Sequence, residues 1–223
     1  MQALLLVFGV YGSFFLYIRI MKRFKDIFAE VVSRVLDPVW EIPAAILLAI
    51  GFAVKEGLRW RFVGLLLFID FVVPFIFFLT MLYHSQIDNW DMQKRSQRVP
   101  LIIFGLLCNL GGLWLARELG KHELVSILVV FYAIAVVFGV ITVKWKISLH
   151  AGMNAVLISM INIFYGYKYF WMYGLLLLVS WARVYQKHHT WPQVIMGSVL
   201  GIVMVTAGMY LVSAGRLVFI DMD

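Results

Sequence analysis

The sequence predicts an all-α, polytopic transmembrane helical bundle of about six to eight spans, and three observations carry that expectation. Of 223 residues, 63% are hydrophobic and 14% charged, with a mean hydropathy of +0.92. Soluble chains run at about 45–50% apolar and about 25% charged. The apolar residues come in blocks close to the length of a bilayer crossing, about 20 residues. Lys, Arg and aromatic residues collect at the block ends, as in "YGYKYFWMY", where headgroup-level anchors belong. Lipid offers no partner to a free backbone N–H, so the spans are expected to be helices.

The blocks run 2–18, 37–54, 61–83, 99–116, 124–143, 149–166, 169–183 and 192–214. The first lacks a basic leader and a small-residue cleavage site, and "RIMKRFK" follows it, so it reads as a retained helix. Next, "KDIFAEVVSRVLDPVW" mixes charge with apolar residues at helical spacing, which predicts an interfacial amphipathic helix. The blocks 61–83 and 192–214 reach across a bilayer easily, whereas 37–54, 149–166 and 169–183 are short and suit tilted or partly immersed helices. Residues 1–90 are read as N-terminal membrane helices with the interfacial segment, 91–214 as a catalytic membrane core, and 215–223 as a short tail. The single cysteine, Cys108, lies inside an apolar block, so no disulfide forms within one chain. The net charge of +7 does not point to nucleic acid, because the basic residues flank the blocks and face lipid headgroups.

Three polar clusters interrupt the blocks: "DNWDMQKRSQR" (88–98), "KWKISLH" (144–150) and "RVYQKHH" (183–189). Two blocks separate each cluster from the next, and an even number of crossings returns the chain to the same face. All three are therefore expected at one membrane surface, whatever the fate of the first block. Together they offer Lys94, Arg95, Arg98, Lys144, Lys146, Ser148, His150, Arg183, Lys187, His188 and His189. Cations beside two separate histidine positions suit a phosphate group, which arginine forks grip through paired hydrogen bonds. One neutral imidazole can attack phosphorus while another protonates the leaving oxygen. No Walker-type glycine loop or carboxylate cluster is present, and two histidines alone make a poor zinc site.

These residues resemble the motifs of the type 2 phosphatidic acid phosphatase (PAP2) superfamily of membrane lipid-phosphate phosphatases. The third family motif is matched by Arg183, five residues, His189, three residues, then Gln193, Gly197 and Gly201. "KISLHAG" places Ser148 and His150 in register with the second, and "KRSQRVP" supplies Arg95, Arg98 and Pro100 for the first. The chain is most similar to a branch carrying Lys-Ile-Ser-x-His and His-Thr-x-x-Gln. The resemblance implies that His189 is the nucleophile, forming a phospho-histidine, and that His150 is the general acid. It implies that Arg95, Arg98, Lys146 and Arg183 hold the phosphate, with Ser148 adding a hydrogen bond, and that no metal or other cofactor takes part. Gln193 stands where the wider family has Asp, and its amide oxygen is expected to accept the His189 ring N–H. Leu149 replaces a glycine of the second motif, and Asp91 falls where the first-motif lysine would be.

Other residues have structural readings. His188, Lys144 and Lys187 are read as interfacial anchors, and Asp88 and Asp91 as loop charges or partners of Arg95 and Arg98. Asp70, mid-block, is either a functional group or a hydrogen-bonding partner of a neighbouring helix. Gly197 and Gly201 form a small-xxx-small pair that brings the His189 helix close to the His150 helix. The expected function is hydrolysis of an amphiphilic lipid phosphate (phosphatidate, phosphatidylglycerophosphate or a prenyl phosphate) in the cell membrane. The Arg19–Arg34 basic cluster favours a cytoplasmic site. A lipid-phosphate binder or transporter and a phosphotransferase are the rival readings on the same scaffold.

Overall fold

The computed structural model describes residues 21–54, 59–92, 94–118 and 120–215. The first apolar block and the tail beyond 215 lie outside the described residues. Every regular element among the described residues is helical, and five segments are long and apolar enough to cross a membrane. They are Met21–Ala53, Val63–Tyr83, Ser96–Glu118, His122–Lys144 and Trp191–Ser213.

The segment 21–53 is two helices with an elbow. Helix α1 covers 21–35, and α2 (Pro38–Ala53) starts where Asp37, in extended conformation, accepts the Val39 N–H through Oδ1 at 3.0 Å. Asp-Pro is a strong start signal, because the side chain satisfies an orphan N–H and proline loses none. The predicted amphipathic segment is thus divided at Asp37. On α1, Phe24, Ile27, Phe28, Val31 and Val35 face outward at helical spacing, while Ala29, Val32 and Ser33 face the protein. This apolar outer stripe suits contact with lipid.

Helices α3 (Arg59–Leu67) and α4 (Val73–Tyr83) are joined by a π-helical turn, Phe68–Val72. Pro74 explains the widened turn: it has no N–H for the Asp70 carbonyl, and its ring crowds that carbonyl in a regular helix. A loop, described over 84–92, leads toward α5 (Arg95–Glu118), which pairs with α6 (His122–Lys144). At about 1.5 Å per residue these two helices exceed the roughly 30 Å hydrocarbon core. Helices α7 (Leu149–Phe164) and α8 (Tyr173–Tyr185) are the short ones, and α9 (Trp191–Ser213) is long again.

Helices α7 and α9 form the tightest pair. A methyl group on Gly197 would lie 2.6 Å from the Ser148 carbonyl oxygen, and one on Gly201 would lie 2.6 Å from that of Gly152. Only glycine lets the two backbones come this close. Around this pair, α2, α6, α7 and α9 share one apolar core, and α1, α7 and α8 share a second. The outer faces of α5, α6 and α9 carry exposed Leu107, Trp114, Val140, Val203 and Tyr210, as membrane-facing helices do.

Candidate active site

The three polar clusters meet at one end of the bundle. Arg98, on the first turns of α5, is buried and donates from Nε to the Met92 carbonyl at 2.8 Å. Its Nη1 donates to the Ile147 carbonyl and its Nη2 to the Asp91 carbonyl, both at 3.3 Å. One guanidinium therefore ties the 84–92 loop to the α6–α7 connection. Lys146, on that connection, donates from Nζ to the His188 carbonyl at 2.9 Å, which links it to the α8–α9 turn.

Arg183, in the last turn of α8, is only 1% exposed. Its Nη1 donates to Asp91 Oδ1 at 2.8 Å, while its Nε is enclosed without a hydrogen-bond partner. Asp91 also faces His188 Nδ1 at 3.6 Å and Arg34 Nη2 at 3.8 Å. Burial alone would raise the Asp91 carboxyl, but His188 and Arg183 outweigh it and hold it well below the usual carboxylate range. Asp91 was expected to be a loop charge or a partner of Arg95 and Arg98. The positive φ of Met92 turns the loop back instead, and the carboxylate reaches Arg183.

After α8 the chain curls around the Arg183 carbonyl, which accepts the N–H groups of His188 and His189 at 3.0 and 3.2 Å. His189 is thereby delivered to the start of α9. Gln193 Oε1 accepts the Thr190 backbone N–H at 3.1 Å, as in a capping box, and lies 3.1 Å from His189 Nδ1. An oxygen already accepting from Thr190 can only accept from the ring as well, so His189 carries its proton on Nδ1 and leaves Nε2 with a lone pair. His189 is buried, and burial together with the charges of Arg98, Arg183 and Lys146 pushes its pKa down to about 3 against the Gln193 hydrogen bond. The imidazole is neutral at physiological pH. Lys146 is lowered for the same reasons: burial first, then repulsion from Arg98 and Arg183.

His150 lies in the first turn of α7, whose N-cap is Ser148. Its Nε2 sits 3.3 Å from Asp37 Oδ2, close enough for an ion pair but without an aligned hydrogen bond. Asn154, four residues on, donates to the Leu36 and His150 carbonyls, so it fastens the α1–α2 elbow to α7 and does not touch the ring. Burial first, and then the charge of Arg183, disfavour a proton on His150, while Asp37 favours it.

One expected phosphate ligand, Ser148, takes another position, and Lys94 of the same clusters is engaged elsewhere. Ser148 is completely buried: its Oγ accepts the Ala151 N–H at 3.3 Å and its N–H donates to the Gln193 carbonyl at 3.3 Å, so a ligand has no surface to reach. Lys94 pairs with Asp88 at 2.8 Å on the exposed loop. Arg95 opens α5, but its side chain lies outside the described residues.

A cavity of about 330 Å³ adjoins the cluster. Asp37, Asp91, Arg98 and His150 form its polar wall, and side chains such as Phe75, Leu101 and Ile134 form the apolar remainder. Asp70 and Asn109 also line it. Asp70 packs against Gly112 of α5, with neither carboxyl oxygen hydrogen-bonded.

Asp37 and Trp90 are the residues that sequence reasoning missed. Asp37 carries the signature of a helix cap, which hides any further role, and Trp90 looks like an interfacial aromatic. Among the described residues, no group of three or more His, Cys, Asp or Glu could hold a metal ion. No family model, no curated protein and no solved structure matches the chain.

Proposed function

We propose that the chain is an integral-membrane phosphatase that hydrolyses an amphiphilic lipid phosphate through a phospho-histidine at position 189. The observation that carries this reading is the state of His189. It is a neutral imidazole, oriented by Gln193 through Nδ1, beside three cations of which Arg98 and Arg183 are buried and Lys146 partly so. Cations gathered this closely, with Arg183 Nε lacking a partner, fit a site completed by a bound anion.

His189 Nε2 attacks phosphorus, and the bond from phosphorus to the lipid oxygen breaks. His150 protonates that oxygen as it leaves. Water then attacks the phospho-histidine, the electron pair of the P–N bond returns to Nε2, and inorganic phosphate departs. Arg183 and Lys146 stabilise the charge on the transferred phosphoryl group, and the two N–H groups that Arg98 has not committed to carbonyls add to this. In this reading Arg98, Lys146 and Arg183 keep the phosphate-holding role that the resemblance implies, and Ser148 acts instead as the cap that places His150. The apolar cavity beside the polar wall suits the tail of the substrate. The positive charges of α1 favour a site at the cytoplasmic face.

The test uses purified protein in detergent without added metal, offered phosphatidate, phosphatidylglycerophosphate and prenyl phosphates. Inorganic phosphate is expected from at least one of them, and His189→Ala is expected to abolish release while the unfolding midpoint holds. Wild type and variant equally inert on every substrate would instead favour a lipid-phosphate binder.

A further inference from the structure

We infer that Asp37 is the positioning residue of the acid, holding His150 by Nε2 so that Nδ1 exchanges protons with the substrate. This rests on reading the site as a phospho-histidine phosphatase.

The carboxylate is rigid. Oδ1 accepts the Val39 N–H at 3.0 Å, and Oδ2 accepts the Trp90 indole N–H at 3.2 Å and faces His150 Nε2 at 3.3 Å. Asp37 is 4% exposed and His150 9%, so both are almost shielded from water. The elbow is fixed independently, since Asn154 joins the carbonyl of Leu36, next to Asp37, to the carbonyl of His150. Trp90 and Asp91 are consecutive: the first holds Asp37, the partner of His150, and the second holds Arg183, whose last turn leads to His189. The 84–92 loop thereby sets the two halves of the site in one register.

The chemistry needs such a partner. To give a proton to a leaving alkoxide, His150 must start as an imidazolium, with N–H groups on both nitrogens; burial opposes that charge and the Asp37 carboxylate supports it. Asp37 keeps the Nε2 proton in place, and the Nδ1 proton goes to the lipid oxygen as its bond to phosphorus breaks. The neutral ring then takes a proton from the water that attacks phospho-His189, restoring the imidazolium. An unaligned pair at 3.3 Å suits a site without substrate, because catalytic hydrogen bonds are often long until the reacting complex forms.

Asp37→Asn is the test. Asn caps a helix as well as Asp, but its single oxygen then stays on the Val39 N–H and an NH2 replaces Oδ2, so the negative charge and the acceptor facing Trp90 and His150 are lost together. The readout compares two leaving groups: an alkyl phosphate, whose alkoxide needs a proton, and an alkyl-substituted nitrophenyl phosphate, whose phenolate does not. Asp37→Asn is expected to lower kcat on the alkyl phosphate by about 10²-fold or more, the scale of general-acid catalysis, with a loss at least tenfold smaller on the aryl ester. Asp37→Glu is expected to recover part of the alkyl activity, and Asp37→Asn with His150→Ala to be no slower than His150→Ala alone. Equal losses on both esters, or an alkyl kcat within about threefold of wild type, overturn the role given to Asp37 while the parent reading stands. Wild type inert on every ester overturns the parent reading and this one with it.

Discussion

Gln193 Oε1 lies 3.1 Å from His189 Nδ1, and the same oxygen accepts the Thr190 N–H that begins α9. One amide oxygen therefore caps α9, a helix long and apolar enough to cross a membrane, and selects the tautomer of the proposed nucleophile. An aspartate could make both contacts and would add a negative charge beside the ring.

Replacement of Gln193 separates these duties. Gln193→Asp keeps an acceptor in place, and turnover is expected to persist or rise. Gln193→Ala frees the ring to take the other tautomer, and kcat is expected to fall by about 10²-fold, with roughly 0.5–2 kcal/mol of stability lost with the cap. Lipid-phosphate turnover and the denaturation midpoint of each variant check this. A collapse of turnover in Gln193→Asp, with folding intact, would argue against the orienting role.

The depressed pKa of His189 makes a statement about stability and pH. Unfolded, the ring titrates near pH 6.5; folded, burial and the neighbouring cations bring it down to about 3. Between these values the unfolded chain binds the proton and the folded chain does not, so stability falls as pH drops. The contribution is complete above pH 6.5 and erodes progressively toward pH 3. His189→Asn, which cannot be protonated, is expected to flatten the acid side of the profile. Unfolding midpoints of both proteins in detergent from pH 7.5 to 4.5 give the comparison, and parallel profiles would refute the assigned shift.

The glycine contacts between α7 and α9 yield a prediction about geometry. Gly197→Ala sets a methyl group against the Ser148 carbonyl, a backbone atom that cannot rotate away. The helices must separate, at a cost of about 1–3 kcal/mol, and His189 moves relative to His150. Both thermal stability and turnover are expected to drop. Gly51→Ala on α2 meets nothing within 4 Å and serves as the control, with neither property impaired.

The helices were legible because their cause is local. Blocks such as 124–143 and 192–214 announce themselves by composition, and even the shortness of 149–166 and 169–183 survives in α7 and α8. The meeting of Arg98, Lys146, Arg183 and His189 at one end agrees with the shared face expected from counting apolar blocks. What escaped depends on the path of irregular backbone. Asp91 reaches Arg183 because Met92 adopts a positive φ, which composition does not announce. Asp37 reaches His150 because α1 and α2 bend at the cap, and an Asp-Pro pair is fully explained as a helix start. Ser148 matched a motif, yet the close approach of α9 seals it from any ligand.

The most direct measurement traps the covalent intermediate. Purified protein is mixed briefly with a lipid phosphate bearing radioactive phosphate, denatured in alkali and sequenced for label. The account predicts a phosphoryl group on His189, stable to alkali and labile to acid, and absent in His189→Ala. Phosphate release by wild type with no label on His189, or with the label on another residue, would contradict it.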